Sequence, residues 1–332
     1  MSHEGRKTAS QTLINELQKR SSECHELVRS TFRSEKIEHA ELRKALEHYF
    51  SYWNDFTHPG LFSIAFEVAG GKSNRALEPQ AAIAMIAAGF DIHDDIIDKS
   101  AEKHSYQTVF GKFGQDLALL LGNAFMINGL TLLELSILDL PAEVSTAILE
   151  TIKKCLFEVG NAHALELGSK GFSTFSAQKY LKILEMKAAS VEADMHIAAL
   201  VASGKSEESE ILRDYGRILG SLATLREEFV DIYDVAELKR RVRRETLPVP
   251  LMLAMQQTGI RRKITEKLEK TRLDQNDLET LLDLVFQCEP VGELKKRMGN
   301  LCLDAQSLAD RIGNRKGRIL LKKLARSMLE DL

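Results

Sequence analysis

The sequence predicts an all-α protein that folds as a single large helical bundle. Apolar residues recur with the 3.6-residue period of a helix through most of the chain, and the good helix formers Ala, Leu, Glu, Lys and Met dominate it. The 332 residues include only six prolines, and each stands where a helical pattern starts or breaks. No strand is needed to account for any segment.

The apolar periodicity places the helices in order along the chain. The predicted helices cover roughly residues 8–50, 61–70, 78–99, 112–137, 142–167, 177–203, 206–238, 246–257, 260–287, 290–311 and 315–331. Glycines at positions 70, 71, 168, 171 and 204 mark joins between them. Residues 1–35 are the more polar part and are expected to form a loosely attached leading helix, with residues 36–332 forming the main domain.

Composition and charge argue against several classes of protein. The net charge of −3 and the pI near 6.3 give no overall positive field, so we expect no nucleic-acid partner. The four cysteines are scattered without a Cys-x-x-Cys pair, and the first residues lack a hydrophobic signal region, so we expect a cytoplasmic protein. No uninterrupted apolar run reaches the roughly 18 residues that span a bilayer, so we expect no transmembrane segment.

An acidic stripe interrupts the apolar helix predicted over residues 78–99. Asp91, Asp94, Asp95 and Asp98 stand at i, i+3, i+4 and i+7, which puts four carboxylates on one helical face. A divalent cation would relieve their repulsion, and ligands that are all oxygen favour a hard ion such as Mg²⁺. Because Mg²⁺ usually takes one or two carboxylates and adds water and phosphate oxygens, the stripe predicts a Mg²⁺-bridged phosphate or diphosphate substrate.

A second acidic stripe lies further along the chain. Glu227, Asp231 and Asp234 share one helical stripe, with Glu228 beside them. Alone, such a run on a helix is ordinarily a solvated face. Together with the first stripe it predicts two acidic helices that face each other and hold a cluster of Mg²⁺ ions around one diphosphate.

Several short motifs follow one another in a fixed order. They are Gly70-Gly71, Asp94-Asp95-Ile96-Ile97-Asp98, Phe113-Gly114, Leu121-Gly122-Asn123, Lys187-Ala188-Ala189, Tyr215-Gly216 with Leu219-Gly220, Glu227-Glu228 with Asp231, and Thr246-Leu247-Pro248. This order resembles the trans-isoprenyl diphosphate synthase, or polyprenyl synthetase, family over about residues 50–255. The resemblance implies an isoprenoid synthase-type bundle, usually dimeric, around a central cavity. It also implies that Mg²⁺ and an allylic prenyl diphosphate bind at the two acidic motifs, and that isopentenyl diphosphate attacks the ionised allylic group.

The resemblance further implies roles for individual residues. The Mg²⁺ ligands would be Asp94, Asp95, Asp98, Glu227, Glu228 and Asp231. The substrate-binding residues would be Lys103, His104, Lys187 and Arg244. The group that carries catalysis would be Asp94, Asp95, Asp98 and Lys187.

The chain departs from the family pattern on the side that binds isopentenyl diphosphate. Where the family has Gly-Gly-Lys-Arg-x-Arg-Pro, residues 53–59 read Trp-Asn-Asp-Phe-Thr-His-Pro, so three cations are missing. The family's Arg-Arg after the first motif is Lys103-His104, which loses bidentate phosphate capture at position 104. Residues 239–244 carry five cations in six positions. This run replaces a lost phosphate contact, forms a solvated loop, or forms a patch that meets acidic residues of a partner.

The function we predict is a Mg²⁺-dependent prenyltransferase of the polyprenyl synthetase type that binds and ionises an allylic prenyl diphosphate, with an acceptor that need not be isopentenyl diphosphate. Two alternatives stay open: a class I terpene cyclase-like enzyme, and a non-catalytic or regulatory subunit of a heteromeric prenyl diphosphate synthase. A prenyl-lipid binding protein is a third. The expected assembly is a homodimer or a heteromer with another prenyl synthase.

Overall fold

The computed structural model describes residues 9–72, 75–103, 106–167, 176–244, 246–270 and 274–330. Within these ranges the chain is helical apart from one short antiparallel hairpin, in which β1 (Glu102–Lys103) pairs with β2 (Tyr106–Gln107). The all-α prediction is therefore confirmed. The hairpin departs from the expectation that no strand is needed.

The chain divides into two compact units. Unit 1 comprises Met1–Lys153, Ala193–Arg213 and Ile312–Leu320, and unit 2 comprises Lys154–Glu192, Asp214–Arg311 and Leu321–Leu332. The helices wholly within unit 1 are α1 (Ala9–Ser34), α2 (Ala40–Tyr52), α3 (Thr57–Val68), α4 (Leu77–Ile97), α5 (Val109–Phe113) and α6 (Gln115–Ser136). Those wholly within unit 2 are α8 (Ala177–Lys187), α11 (Val235–Arg244), α12 (Val249–Ala254), α13 (Thr258–Leu268), α14 (Gln275–Phe286) and α15 (Glu289–Asp310). The unit boundaries fall within or beside α7 (Ala142–Glu166), α9 (Ala189–Ser203), α10 (Glu207–Tyr233) and α16 (Arg315–Ser327).

Several of the predicted helices are divided in the structure, and two of these breaks show how a side chain caps the second helix. The stretch 8–50 forms α1 and α2, and the His39 ring accepts a hydrogen bond from a backbone N–H in the first turn of α2. The stretch 206–238 forms α10 and the start of α11, and Asp234 Oδ1 accepts hydrogen bonds from two N–H groups of α11. A side chain that satisfies the first N–H groups of a helix fixes the start of that helix. Both breaks therefore come from local polar residues.

Helix α1 packs as part of unit 1. Its Cys24, Val28 and Phe32 are buried in the same hydrophobic cluster as Tyr49 of α2 and side chains of α4. Burial of such side chains removes a large apolar area from water and stabilises the packed state. The described part of residues 1–35 thus contributes to the core of unit 1, and the division of the chain at residue 35 stays a prediction.

Helices α4 and α6 pack so closely that glycine is required between them. A Cβ added at Gly129 of α6 would lie 2.8 Å from Ile86 Cγ1 and 2.9 Å from the Ala82 carbonyl oxygen of α4. A Cβ added at Gly122 would lie 2.5 Å from the His93 ring. Backbones approach this closely only where no side chain intervenes. Helix α6 thereby supports the part of α4 that carries the first acidic stripe.

Helix α6 is also the one helix within the described ranges that is long and apolar enough to cross a membrane by length and composition. A helix in the core of a globular protein meets the same two criteria, so the property is not by itself a membrane signal. Only 33% of its most apolar window is buried, which leaves apolar side chains on its surface.

In unit 2, contacts with neighbouring elements hold α10 near both of its ends. The backbone N–H of Val249, at the start of α12, donates to Glu228 Oε2 over 2.7 Å. The hydroxyl of buried Tyr215 donates to the Leu321 carbonyl oxygen over 2.6 Å. Helix α12 packs in turn against α8, α14 and α15. These contacts fix the segment of α10 that carries the second acidic stripe.

Candidate functional site

The first acidic cluster lies where α4 ends. Asp95 is buried, Asp94 and Asp98 are half-buried, and Asp91 is exposed one turn earlier. The C-terminal end of a helix carries a partial negative charge, so carboxylates are not favoured there. Lys99 follows directly with a φ of +53°, a backbone region that non-glycine residues seldom adopt. Four acids at an unfavourable helix end argue for a role in binding rather than in stability.

Lys103 of β1 reaches into this cluster. Its Nζ lies 2.7 Å from Asp95 Oδ1 and 3.0 Å from Asp91 Oδ1. Burial raises the pKa of Asp95 to about 7, although the charge of Lys103 opposes the shift. Burial alone would lower the pKa of Lys103, but the carboxylates of Asp91 and Asp95 outweigh it and raise that pKa above its ordinary value. Even with Lys103 and Lys99 both charged, four carboxylates leave the cluster negative.

The second acidic cluster lies near the end of α10. Glu228 is buried, Asp231 is half-buried and Glu227 reaches solvent. Although Glu227 is accessible, desolvation by the protein atoms around it raises its pKa, and the charges of Asp231 and Glu228 add to the shift. Burial also raises the pKa values of Glu228 and Asp231, and Arg241 opposes both shifts. The cluster therefore favours a positive charge beside it.

Arg241 of α11 provides that charge. Its Nη2 lies 2.9 Å and 3.2 Å from the two carboxylate oxygens of Glu228, and its Nη1 lies 2.6 Å from Asp231 Oδ2. Its Nε donates to the Thr246 carbonyl oxygen over 2.9 Å. The side chain is 5% exposed. One buried guanidinium thus joins two acids of the second cluster to the connection between α11 and α12.

A tyrosine links this arginine to Lys187. The Tyr180 hydroxyl accepts a hydrogen bond from Arg241 over 2.9 Å and lies 3.0 Å from Glu228 and 3.2 Å from Glu166. Its single proton can serve only one of these carboxylates at a time. Glu166 in turn pairs with Lys187, Oε2 to Nζ 2.5 Å. Lys187 therefore belongs to a chain of charged and polar groups within unit 2.

The structure brings the predicted site residues together in two groups. The group in unit 1 consists of Asp94, Asp95, Asp98 and Lys103. The group in unit 2 consists of Lys187, Glu227, Glu228 and Asp231. His104 and the Arg244 side chain fall outside the described part of the chain.

Sequence reasoning missed the importance of Arg241. The basic run at residues 239–244 belongs to helix α11 and does not form a solvated loop. Arg241 stands three positions after the buried Leu238, so the two share a helical face. That spacing was the signal in the sequence. Tyr180 and Glu166 carried no comparable signal, because nothing near them in the chain indicates their partners.

Residues 53–59, where the family has its basic motif, are held by contacts within unit 1. Asp55 Oδ1 accepts a hydrogen bond from the Thr57 N–H over 2.9 Å at the start of α3. His58 Nδ1 lies 2.6 Å from Oδ2 of the buried Asp194. The His25 ring stacks on Trp53, with centroids 4.2 Å apart, and also on Phe56. Aromatic and acidic groups therefore occupy the place of the missing cations.

The two clusters differ in how well they suit Mg²⁺. In the described part of the chain, no group of three or more His, Cys, Asp or Glu side chains is arranged so that it could hold a metal ion. The first cluster suits Mg²⁺ by its chemistry, because it is negative and Mg²⁺ often takes one or two carboxylates together with water and substrate phosphate. In the second cluster Arg241 already engages Glu228 and Asp231, so that arrangement does not suit the ion.

Comparison with known proteins gives a consistent result. The sequence profile of the polyprenyl synthetase family matches residues 39–285. The chain is similar to a geranylgeranyl diphosphate synthase from Sulfolobus acidocaldarius, 25% identical over 181 residues that cover 54% of this chain and 55% of that protein. The match thus spans about half the length of that relative.

Solved structures share the fold. A geranylgeranyl pyrophosphate synthetase from Pyrococcus horikoshii Ot3 matches with a TM-score of 0.82 at 18% identity, covering 98% of this chain and all of that one. A geranylgeranyl pyrophosphate synthase from Corynebacterium glutamicum, complexed with isoprenyl diphosphate and magnesium, matches with a TM-score of 0.76 at 19% identity, covering 96% and 98%. At these identities the likeness concerns the fold alone. Because the family profile covers most of the sequence, this chain belongs to the polyprenyl synthetase family.

Proposed function

We propose that this chain is a Mg²⁺-dependent prenyltransferase that binds an allylic prenyl diphosphate and ionises it. The observation that carries the proposal is the first acidic cluster, in which Lys103 lies among carboxylates at the end of α4. Membership of the polyprenyl synthetase family and similarity to a relative named as a geranylgeranyl diphosphate synthase support the same reaction class.

The residues of the first cluster would bind the diphosphate end of the substrate. Asp94, Asp95 and Asp98 would hold Mg²⁺, and the bound ion would supply positive charge that makes diphosphate a better leaving group. Lys103 would donate hydrogen bonds to the diphosphate. The allylic C–O bond would then break with its electron pair on the leaving group, and fixed charges would stabilise the separated ions.

We also propose that the prenyl acceptor is not isopentenyl diphosphate. A diphosphate acceptor needs cations, and the residues at 53–59 instead include Asp55, which caps α3, and His58, which is paired with Asp194. Each charge-assisted contact to phosphate contributes about 1.5 to 3 kcal/mol, so the loss of several weakens binding by orders of magnitude. An uncharged acceptor does not need these cations, so their absence would not weaken its binding.

A homodimer is the assembly we propose. Helix α6 carries Leu119, Leu120, Ile127 and Leu135 at its surface, with Ile127 64% exposed. Large apolar side chains on one exposed helix commonly mark a protein interface. A second copy of α6 would cover this face and remove it from water.

The test is incubation of the purified protein with Mg²⁺ and allylic diphosphates from dimethylallyl to geranylgeranyl, with and without isopentenyl diphosphate. We expect release of diphosphate without isopentenyl diphosphate, with water of the medium capturing the allylic cation to give the prenyl alcohol, and loss of that release in the Asp94→Asn variant. Elongation that requires isopentenyl diphosphate would contradict the proposed acceptor. If no diphosphate were released under any condition, the proposed enzymatic activity would be contradicted. That result would favour a non-catalytic subunit.

A further inference from the structure

We propose that Arg241 stands in place of a divalent cation between Glu228 and Asp231 of the second acidic cluster, so that these two acids do not bind Mg²⁺ in this chain. The inference rests on the proposed function for the identity of the ion. It differs from the family-based assignment of Glu228 and Asp231 as metal ligands. The family resemblance gave both clusters the same role, and the contacts in unit 2 separate them.

The guanidinium occupies the position that a shared cation would need. Glu228 and Asp231 stand at i and i+3 on α10, so their carboxylates point to one side of the helix. Arg241 bridges them, with its Nη2 2.9 Å from Glu228 Oε1 and its Nη1 2.6 Å from Asp231 Oδ2. A cation that bound both acids would have to displace this side chain.

The oxygens of Glu228 have further partners. Oε1 lies 3.0 Å from the Tyr180 hydroxyl, and Oε2 accepts the Val249 N–H over 2.7 Å as well as a contact from Arg241 at 3.2 Å. Mg²⁺ requires near-ideal octahedral geometry and gives up its own water reluctantly. An oxygen that already accepts two hydrogen bonds is poorly placed to become its ligand.

Displacement of Arg241 would also leave a buried charge without compensation. The side chain is 5% exposed, as is that of Glu228, and its Nε is held by the Thr246 carbonyl oxygen. Removal of one partner from a buried ion pair is strongly unfavourable. An ion that approached with Arg241 in place would meet a fixed positive charge beside it.

The orientation of Arg241 is built into α11. Asp234 caps the start of this helix, and Leu238, on the same face as Arg241, is fully buried. The neighbouring Arg240 points elsewhere and pairs with Glu237 three positions earlier in α11. Arg240 therefore provides a matched control: it is an arginine of the same helix whose ion pair is with Glu237.

The experiment counts bound Mn²⁺, used alone as the probe, by electron paramagnetic resonance of the free ion in titrations of the full chain. We expect Asp231→Asn and Glu228→Gln to bind as many ions as the unaltered protein. We expect Arg241→Leu to gain at least one ion per chain, because it frees two carboxylates, and Arg240→Leu to show no change. The loss of an ion in Asp231→Asn or Glu228→Gln would overturn the inference, as would a folded Arg241→Leu without a gain.

Circular dichroism shows whether each variant is folded. If Arg241→Leu does not fold, the other two variants decide the question, since Asp231→Asn keeps the pair between Arg241 and Glu228. Asp94→Asn tests the proposed function separately, because it should lose an ion. If Asp94→Asn bound as many Mn²⁺ ions as the unaltered protein, Asp94 would not be a metal ligand. The comparison of the Arg241 and Arg240 variants would still stand.

Discussion

The Nζ of Lys103 lies 2.7 Å from Oδ1 of Asp95, and this pair joins the hairpin to the end of α4. Asp95 is 2% exposed and Lys103 retains 23% exposure, so the lysine can still contact a ligand. Burial raises the pKa of Asp95 to about 7, so this carboxyl is only partly ionised at neutral pH. The pair therefore links the stability of unit 1 to the charge of the proposed diphosphate site.

Replacement of Lys103 tests its contribution to stability and its proposed contact with the diphosphate. We expect Lys103→Met to lower the rate of diphosphate release about 100-fold, because a preorganised positive charge is lost. We also expect the free energy of unfolding to fall by about 1 to 3 kcal/mol, because the buried Asp95 loses its partner. Urea denaturation and single-turnover kinetics would measure the two effects.

Lys19 of α1 supplies the control for that variant, since it is an exposed lysine of the same unit. Lys19→Met should change the free energy of unfolding by no more than about 0.5 kcal/mol. Equal losses of stability in the two variants would show that the contact with Asp95 is not what stabilises the hairpin.

The pKa of Asp95 gives a pH dependence of known sign. Its folded-state pKa of about 7 lies above the ordinary value of 3.8, so between these values the folded protein holds a proton that the unfolded chain has released. The contribution of Asp95 to stability therefore falls as pH rises from about 4 to about 7, by up to about 1.4 kcal/mol per pH unit. Above that window the contribution is constant.

The measurement compares unfolding of the unaltered protein with that of Asp95→Asn across this range, since asparagine does not titrate. We expect the difference in unfolding free energy between the two proteins to change across the window and to become level at higher pH. A difference that is the same at pH 5 and pH 8, within about 0.5 kcal/mol, would mean that Asp95 titrates normally.

The sequence predicted the positions of the two acidic clusters because helical spacing alone determines which residues share a face. Asp94 with Asp98 on α4, and Glu227 with Asp231 on α10, needed no knowledge of tertiary structure. The break at Asp234 was not predicted, because the apolar period runs on to residue 238. Its signal is nevertheless local, since an aspartate that accepts N–H groups two and three positions later is an ordinary helix start.

The partners of the charged groups were not predictable in this way. Arg241 lies ten residues after Asp231 but sixty-one after Tyr180, and only the packing of α8 against neighbouring elements of unit 2 brings the tyrosine into contact. The pair of His58 and Asp194 spans 136 positions in the chain. Periodicity reports which face of a helix is buried and does not report what that face contacts.

The close contact of α4 and α6 predicts opposite effects for two glycine substitutions. In Gly129→Ala the new methyl group would lie 2.9 Å from the Ala82 carbonyl oxygen and 3.0 Å from the Ile86 backbone nitrogen, which cannot move aside. We expect a loss of about 1 to 3 kcal/mol in the free energy of unfolding. A Cβ at Gly160 of α7 meets nothing within 4 Å, so Gly160→Ala should stabilise the protein by up to about 1 kcal/mol.

Thermal or urea unfolding of both variants measures this contrast. The movement of α4 in Gly129→Ala should also disturb the first acidic cluster, so its Mn²⁺ affinity should fall while that of Gly160→Ala does not. If the two alanine variants were equally stable, the separation of α4 and α6 would be larger than the structure indicates.

The exposed face of α6 predicts the effect of a charge on assembly. Ile127 is 64% exposed, and Leu120 lies two turns before it on the same helix. We expect Ile127→Glu to convert a dimer to a monomer in light scattering, because burial of an unpaired carboxylate in an apolar interface is costly. Leu303 of α15 is also 64% exposed, so Leu303→Glu is the matched control and should leave the mass unchanged. A dimer that survives Ile127→Glu would place the interface on another surface of the protein.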